Sequence, residues 1–134
     1  MSTRQIASFV SVFMLAAAAL CGAARASPSS LLADYGARAG RAPEPARGGA
    51  LFTSRHGREW SCSSCHGAVP VGAGRHAATG KAIAPMAPAA NPERFADAAK
   101  VEKWFRRNCN DVLGRECSAG EKADVLAWLM TLKP

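Results

Sequence analysis

The apolar positions of this 134-residue chain form one uninterrupted run near the start and several helical faces further along. Residues 6–20 carry no charged side chain. They follow Arg4 and precede Ala24-Arg25-Ala26, which has the small-residue spacing of a cleavage site. The run is too short to span a bilayer comfortably. The pattern predicts a secretory signal peptide over residues 1–26, cleaved after Ala26, and one mature domain over residues 27–134 in the periplasm.

Beyond the signal peptide, apolar side chains recur at helical spacing, and no strand pattern is evident. A short helix is predicted over Ser29–Gly36, and a second begins near Pro43-Glu44-Pro45. The second helix contains Gly48-Gly49, and glycine is costly inside a helix. We therefore expect another helix to approach closely at this pair, through Trp128 and Leu129.

Two amphipathic segments dominate the C-terminal third of the chain. The first predicts a helix from Asp97 to about Asn108, with one face formed by Val101, Trp104, Phe105 and Asn108. The second begins with a capping box, and its apolar face is formed by Val125, Leu126, Trp128, Leu129 and Leu132. The capping box consists of Ser118 and Glu121. These faces predict an all-α fold.

The segment 61–67 contains the residues with the most specific chemistry. Cys62 and Cys65 are separated by two residues, and His66 follows at once. This is the attachment motif of a c-type haem, in which two thiols bond to the porphyrin vinyl groups and the histidine binds the iron on its proximal side. One covalent haem c would also supply apolar bulk that a mature chain of about 108 residues lacks. The predicted architecture is a few helices around this haem.

The other cysteines bear on the alternatives to a haem. Cys109 and Cys117 are the pair left once the signal peptide is removed, and an oxidising compartment favours a disulfide between them. With Cys62 and Cys65 they could instead form a four-thiolate zinc site. Export counts against that site, which also leaves no role for His66. A thioredoxin-like dithiol would need a βαβ context, which the sequence lacks.

Charge bears on the class of partner. The full chain carries a formal net charge of +7, and roughly +5 remains once Arg4 and Arg25 leave with the signal peptide. Such a surface suits an acidic protein partner or peripheral contact with membrane headgroups. Nucleic acid is not expected, because the chain has no recognisable binding motif. The polar side of the Asn108 helix carries Lys100, Lys103, Arg106 and Arg107. This face is either an ordinary solvated surface or a docking site for an acidic redox partner.

The residue opposite His66 decides between two functions. Met86 lies in a proline-flanked apolar loop, and a thioether ligand would give a simple electron carrier. Asn108 is a polar amide on an apolar helical face, where it must meet either a backbone carbonyl or the haem iron. His56 and His76 lie in Gly- and Arg-rich loops, where solvated positions are expected.

Several segments together resemble the sphaeroides haem protein family of exported c-type cytochromes. They run through almost the whole mature chain and comprise residues 79–81, 83–88, 91–95, 100–104, 107–110, 114–117 and 121–124. The most specific of them is Arg107-Asn108-Cys109-Asn110 together with Cys117. At Met86 the chain departs from the family pattern, in which a leucine is expected.

The resemblance implies a class I-like cytochrome c fold, with an added disulfide loop before the C-terminal helix. It implies that Asn108 is the sixth ligand of the iron and that Cys109 and Cys117 form the disulfide. It further implies a high-spin haem that releases the asparagine, binds oxygen or nitric oxide, and accepts electrons from a dihaem cytochrome c. The function that we expect is therefore binding or reduction of these diatomic ligands. The alternative function is electron transfer through a haem ligated by His66 and Met86.

Overall fold

A computed structural model describes residues 25–134. The predicted signal peptide therefore lies, up to residue 24, outside the described residues. The helices in this part of the chain are α1 (Pro28–Ala39), α2 (Pro45–Thr53), α3 (Cys62–His66), α4 (Ala98–Leu113) and α5 (Ala119–Thr131), with a 3₁₀ helix at Pro92–Phe95. Two short strands, β1 (Gly74–Arg75) and β2 (Ala82–Ile83), pair antiparallel. Among residues 25–134, none of the helices is long and apolar enough to cross a membrane.

The all-α class is confirmed, and the small sheet corrects the expectation that no strand is present. Gly74 pairs with Ile83 and Arg75 with Ala82. Strands of two residues are too short to show the alternation by which a strand is recognised in a sequence.

Helix α1 is longer than expected. It begins at Pro28, one residue earlier, because the Ser27 side chain accepts a hydrogen bond from the Ser30 amide in a capping box. It continues through Gly36 and ends at Gly40, whose φ of 64° suits glycine. The predicted end at Gly36 was wrong because that glycine lies within the helix, while Gly40 supplies the left-handed cap.

Helix α5 is the centre of the core, and α1 and α2 pack against it. A Cβ atom at Gly48 would overlap the backbone carbonyl of Asp124, and one at Gly49 would lie 2.9 Å from Trp128 Nε1. The predicted close approach at the glycine pair is confirmed for Trp128. Gly48 faces the α5 backbone at Asp124 rather than Leu129.

A buried carboxylate fixes the connection between α1 and α2 onto α5. Asp124, 3% exposed, accepts two hydrogen bonds from Arg41 at 3.0 and 2.7 Å, one from Arg47 Nε at 3.0 Å and one from the Glu44 backbone at 2.6 Å. Burial alone would raise the pKa of Asp124, but these donors hold that pKa well below its usual range. The carboxylate is therefore ionised and serves as an internal tie.

Helix α4 begins as predicted and ends later. The Asp97 side chain caps it by accepting from the Lys100 amide at 3.0 Å. The helix runs on to Leu113, so that Cys109 lies within it rather than beyond its end. The predicted disulfide joins Cys109 to Cys117. It ties the last turn of α4 to the segment that precedes α5.

Candidate haem site

A cavity of about 490 Å³ lies between α3, the loop through β2, the 3₁₀ helix and α4. Its volume is in the range of small-molecule and cofactor sites. Cys62, Cys65 and His66 line it. Its wall is largely apolar and is formed by Leu51, Phe52, Trp60, Ile83, Met86, Phe95, Val101, Trp104, Phe105, Val112 and Val125.

Helix α3 brings the two thiols and the imidazole to the same cavity. The Ser61 amide donates to Ser64 Oγ at 3.0 Å in a capping box, and Gly67, at φ 81°, ends the helix. In a single helical turn, Cys62, Cys65 and His66 occupy positions i, i+3 and i+4, which share one face. The sequence prediction that these three act together agrees with this placement.

Burial keeps the thiol and the imidazole neutral. It raises the pKa of the Cys62 thiol to about 11. Burial, and then the nearby positive charge of Arg94, lowers the pKa of the His66 imidazole to about 4. The neutral imidazole is the form that binds a metal. His66 Nδ1 is buried and has no hydrogen-bond partner within the described residues.

These residues fit a covalently attached haem. Two free cysteines and a neutral histidine face an apolar cavity, as the thioether bonds and the proximal iron ligand require. The zinc alternative is wrong, since Cys109 and Cys117 are joined to each other. In residues 25–134 no three His, Cys, Asp or Glu side chains are grouped so as to hold a metal ion.

Asn108 lines the same cavity, on the helical face predicted from its phase with Val101, Trp104 and Phe105. Its side chain is half-buried, and its amide has no hydrogen-bond partner among residues 25–134. By contrast, the amide of Asn110, two residues further on, donates to the Arg106 carbonyl at 2.8 Å. Within residues 25–134, the Asn108 amide thus does not donate to a backbone carbonyl, which was one of the two alternatives for it.

Met86 also lines the cavity, so that both candidates for the position opposite His66 are present. The Met86 and Ala87 amides both donate to the Pro70 carbonyl at 3.0 Å. Met86 is partly buried and packs against the hydrophobic core. Its side chain therefore has a packing role whether or not it binds the iron.

The two loop histidines behave differently from each other. His56 is exposed, as expected, and its Nε2 lies 2.9 Å from the Leu51 carbonyl. His76 is half-buried at the cavity, where a fully solvated position was expected. Its Nδ1 accepts from the amides of Ala78 and Thr79 at 3.3 Å each. One ring nitrogen of His76 is thus engaged in the turn between the two strands.

The sequence prediction did not identify Arg94 or Trp60 as cavity residues. Trp60 directly precedes the haem motif, and this adjacency could have predicted that Trp60 lies at the cavity. Arg94 carries no such signal, because it reaches the cavity from the 3₁₀ helix through contacts with the loop around Pro85.

Comparison with known sequences identifies relatives. A family model described as a domain of unknown function (DUF1924) matches residues 38–129. The cytochrome c-type protein SHP of Cereibacter sphaeroides is 52% identical over 124 residues, covering 87% of this chain and 95% of that protein. Cytochrome c'' of Methylophilus methylotrophus is 46% identical over 80 residues, which cover 60% of this chain and 56% of that protein.

Solved structures of the same two proteins share the fold. The structure of oxidized SHP, described as an oxygen binding cytochrome c, superposes with a TM-score of 0.75 at 52% identity, covering 80% of this chain and 98% of that one. Oxidized cytochrome c'' from Methylophilus methylotrophus gives a TM-score of 0.72 at 37% identity, with 80% and 95% covered. The expected cytochrome c fold is therefore confirmed. The chain belongs to the family of the c-type cytochrome SHP, and its cofactor is one covalently bound haem c.

Proposed function

We propose that this protein is an exported monohaem cytochrome in which Asn108 is a displaceable ligand of the haem iron. In this proposal Cys62 and Cys65 attach the haem, and His66 is the proximal ligand. The protein then binds or reduces a diatomic ligand, oxygen or nitric oxide, and accepts electrons from a partner cytochrome. The observation that carries the proposal is the half-buried Asn108 amide, which faces the same cavity as His66 and has no partner among residues 25–134.

The chemistry of an amide supports displacement. When bound, haem c would supply an iron that changes oxidation state and can bind a small ligand. Asn108 is half-buried in the protein alone, and a haem in the cavity would bury it further. A fully buried amide without a partner costs about 1–3 kcal/mol, so a partner on the haem side would stabilise Asn108. An amide is nevertheless a weaker iron donor than an imidazole or a thioether. Asn108 can therefore give way to a competing diatomic ligand.

Asn108 retains a role after it moves aside. Its NH₂ group is a hydrogen-bond donor beside the position that the incoming ligand takes. Donors placed there help to decide whether oxygen is held or activated. The description of the related SHP as oxygen binding supports oxygen as a ligand here. Nitric oxide is proposed because the family resemblance implies it.

Electron entry is proposed at the basic face of α4. Lys100, Trp104 and Arg107 line the cavity, and Trp104 is 43% exposed. Lys103 Nζ and Arg107 Cζ lie 5.8 and 5.2 Å from the centre of the Trp104 ring. An exposed indole between cations suits an acidic partner that docks close to the haem. A dihaem cytochrome c is the partner that the resemblance implies. Electron transfer that does not slow as salt rises would count against this docking site.

The ferric spectrum tests the central proposal. Ligation by Asn108, or an open position, predicts a high-spin EPR and visible spectrum for the wild type, and Met86→Leu should leave it unchanged. The second candidate function, a carrier ligated by His66 and Met86, is favoured only by the presence of Met86 at the cavity. It predicts a low-spin signal with a sulfur–iron charge-transfer band that Met86→Leu abolishes. That result would refute the role of Asn108.

A further inference from the structure

Arg94 places a half-buried positive charge at the cavity. It projects from the 3₁₀ helix, and its Nε donates to the Pro85 carbonyl at 3.1 Å while Nη2 donates to the Ala84 carbonyl. Asn91 Nδ2 donates to the same Pro85 carbonyl at 3.1 Å. Arg94 thus braces the wall segment that leads into Met86.

The carbonyl oxygens satisfy hydrogen bonds of Arg94 but do not neutralise its charge. Arg94 forms no salt bridge within residues 25–134. Of the acidic neighbours, Glu93 is 76% exposed and forms no ion pair with Arg94, and the Asp97 side chain caps α4. Among the described residues that line the cavity, Asp111 is the only acidic one, and it is exposed on α4.

Partial burial of this guanidinium favours a counter-charge. Burial lowers the pKa of Arg94, but an arginine stays protonated in proteins, so the charge persists. A buried charge is costly unless it is paired. The other cations that line the cavity, Lys81, Lys100 and Arg107, are more exposed than Arg94. Arg94 is therefore the cation of this cavity that most needs an anion.

The cofactor carries two carboxylates, its propionates. We propose that Arg94 pairs with one haem propionate while it braces the wall segment 84–86. A guanidinium has five donors, of which two are used on the backbone, so that others remain for a carboxylate. The assignment rests on the covalent haem and not on which residue binds the iron opposite His66. A low-spin spectrum would therefore refute the Asn108 proposal and leave this one standing.

The test compares the holoprotein with two Arg94 variants and a control. Arg94→Gln removes the charge, and Arg94→Lys keeps it while losing the planar fork. The control is Arg75→Gln, because Arg75 is an exposed arginine that also donates to a backbone carbonyl, that of Gly80 at 2.9 Å. The measurements are the reduction potential and the propionate bending bands of the resonance Raman spectrum.

Loss of the charge disfavours the reduced haem. Arg94→Gln should lower the equilibrium constant for one-electron reduction about tenfold, which is a fall in potential of about 59 mV, and should shift the propionate bands. Arg94→Lys should keep most of the potential but still shift the bands. Arg75→Gln should change neither appreciably.

Two results overturn the proposal. In the first, the reduction potential of Arg94→Gln is no lower than that of Arg75→Gln and its propionate bands are unchanged. Arg94 would then brace the cavity wall without pairing with a propionate. If Arg94→Gln yields no holoprotein, Arg94→Lys decides the question, and unchanged bands in that variant refute the pairing.

Discussion

Replacing Asn108 with alanine should make the ferrous protein take up oxygen and nitric oxide faster. The wild-type amide has no hydrogen-bond partner in the described part of the chain and lines the cavity, so in the proposed holoprotein it would donate a lone pair to the iron. We take the loss of that partner at about 1–3 kcal/mol, the cost of leaving a polar group unpaired in a haem-filled cavity, and an incoming ligand must offset this energy. That energy is about 5–150-fold in the equilibrium between bound and released amide. If uptake needs the released form, the rate of uptake should rise by up to the same factor. Because the alanine also removes a donor, bound oxygen should dissociate faster as well.

Stopped-flow mixing of the ferrous protein with each ligand gives the association rates, and ligand replacement gives the dissociation rates. Asn110→Ala is the matched control, because Asn110 is on the same helix beside the same cysteine but uses its amide on the Arg106 carbonyl. It should leave both rates near those of the wild type. Unchanged association rates in Asn108→Ala, or an equal increase in Asn110→Ala, would refute the reasoning.

Three further predictions concern the framework around the haem. Gly48→Ala forces a Cβ atom into the backbone of α5 and should cost about 1–3 kcal/mol of unfolding free energy, measured by urea denaturation. Gly72→Ala, which has open space, should be nearly neutral. Because the folded-state pKa of Asp124 is depressed below its ordinary 3.8, its contribution to stability is present above that pH and is lost as the pH falls. Asp124→Asn should therefore be less stable at pH 7 and lose less stability on acidification; equal acid sensitivity of the two proteins would contradict this. Selective reduction of Cys109–Cys117 should loosen the helix end that carries Asn108 and raise the affinity for oxygen and nitric oxide. Equal affinities before and after reduction would exclude that coupling.

The features that could be predicted from the sequence are those specified by neighbouring residues. The haem motif, the Asp97 cap and the Ser118–Glu121 box each lie within a few residues of the chain, and each is present in the structure. The phase of Asn108 was predictable because α4 is continuous from Val101 onwards. Local periodicity and capping thus account for the placement of the main candidate ligands.

What the sequence pattern missed depends on partners that are distant in the chain. Asp124 and Lys122 resemble solvent-facing charges of an amphipathic helix, yet both are buried in α5. Asp124 is satisfied by Arg41, which is 83 residues away, and Lys122 Nζ lies 2.6 Å from Glu102 on α4. Arg94 was missed for the same reason, since the loop that it braces is fixed by tertiary contacts. The periodicity of a single segment cannot predict such contacts between residues that are distant in the chain.

Helix α4 carries both the candidate ligand Asn108 and the proposed docking surface for a redox partner. Asp97 caps its start, and the disulfide from Cys109 anchors its last turns to the segment before α5. Because both ends are restrained, a displacement of the whole helix would break the cap or strain the crosslink. Rotation of the Asn108 side chain requires neither change and is therefore the less costly way to open the cavity. It follows that docking of a partner on the outer face of α4 should alter the rate of electron entry more than the affinity for the diatomic ligand.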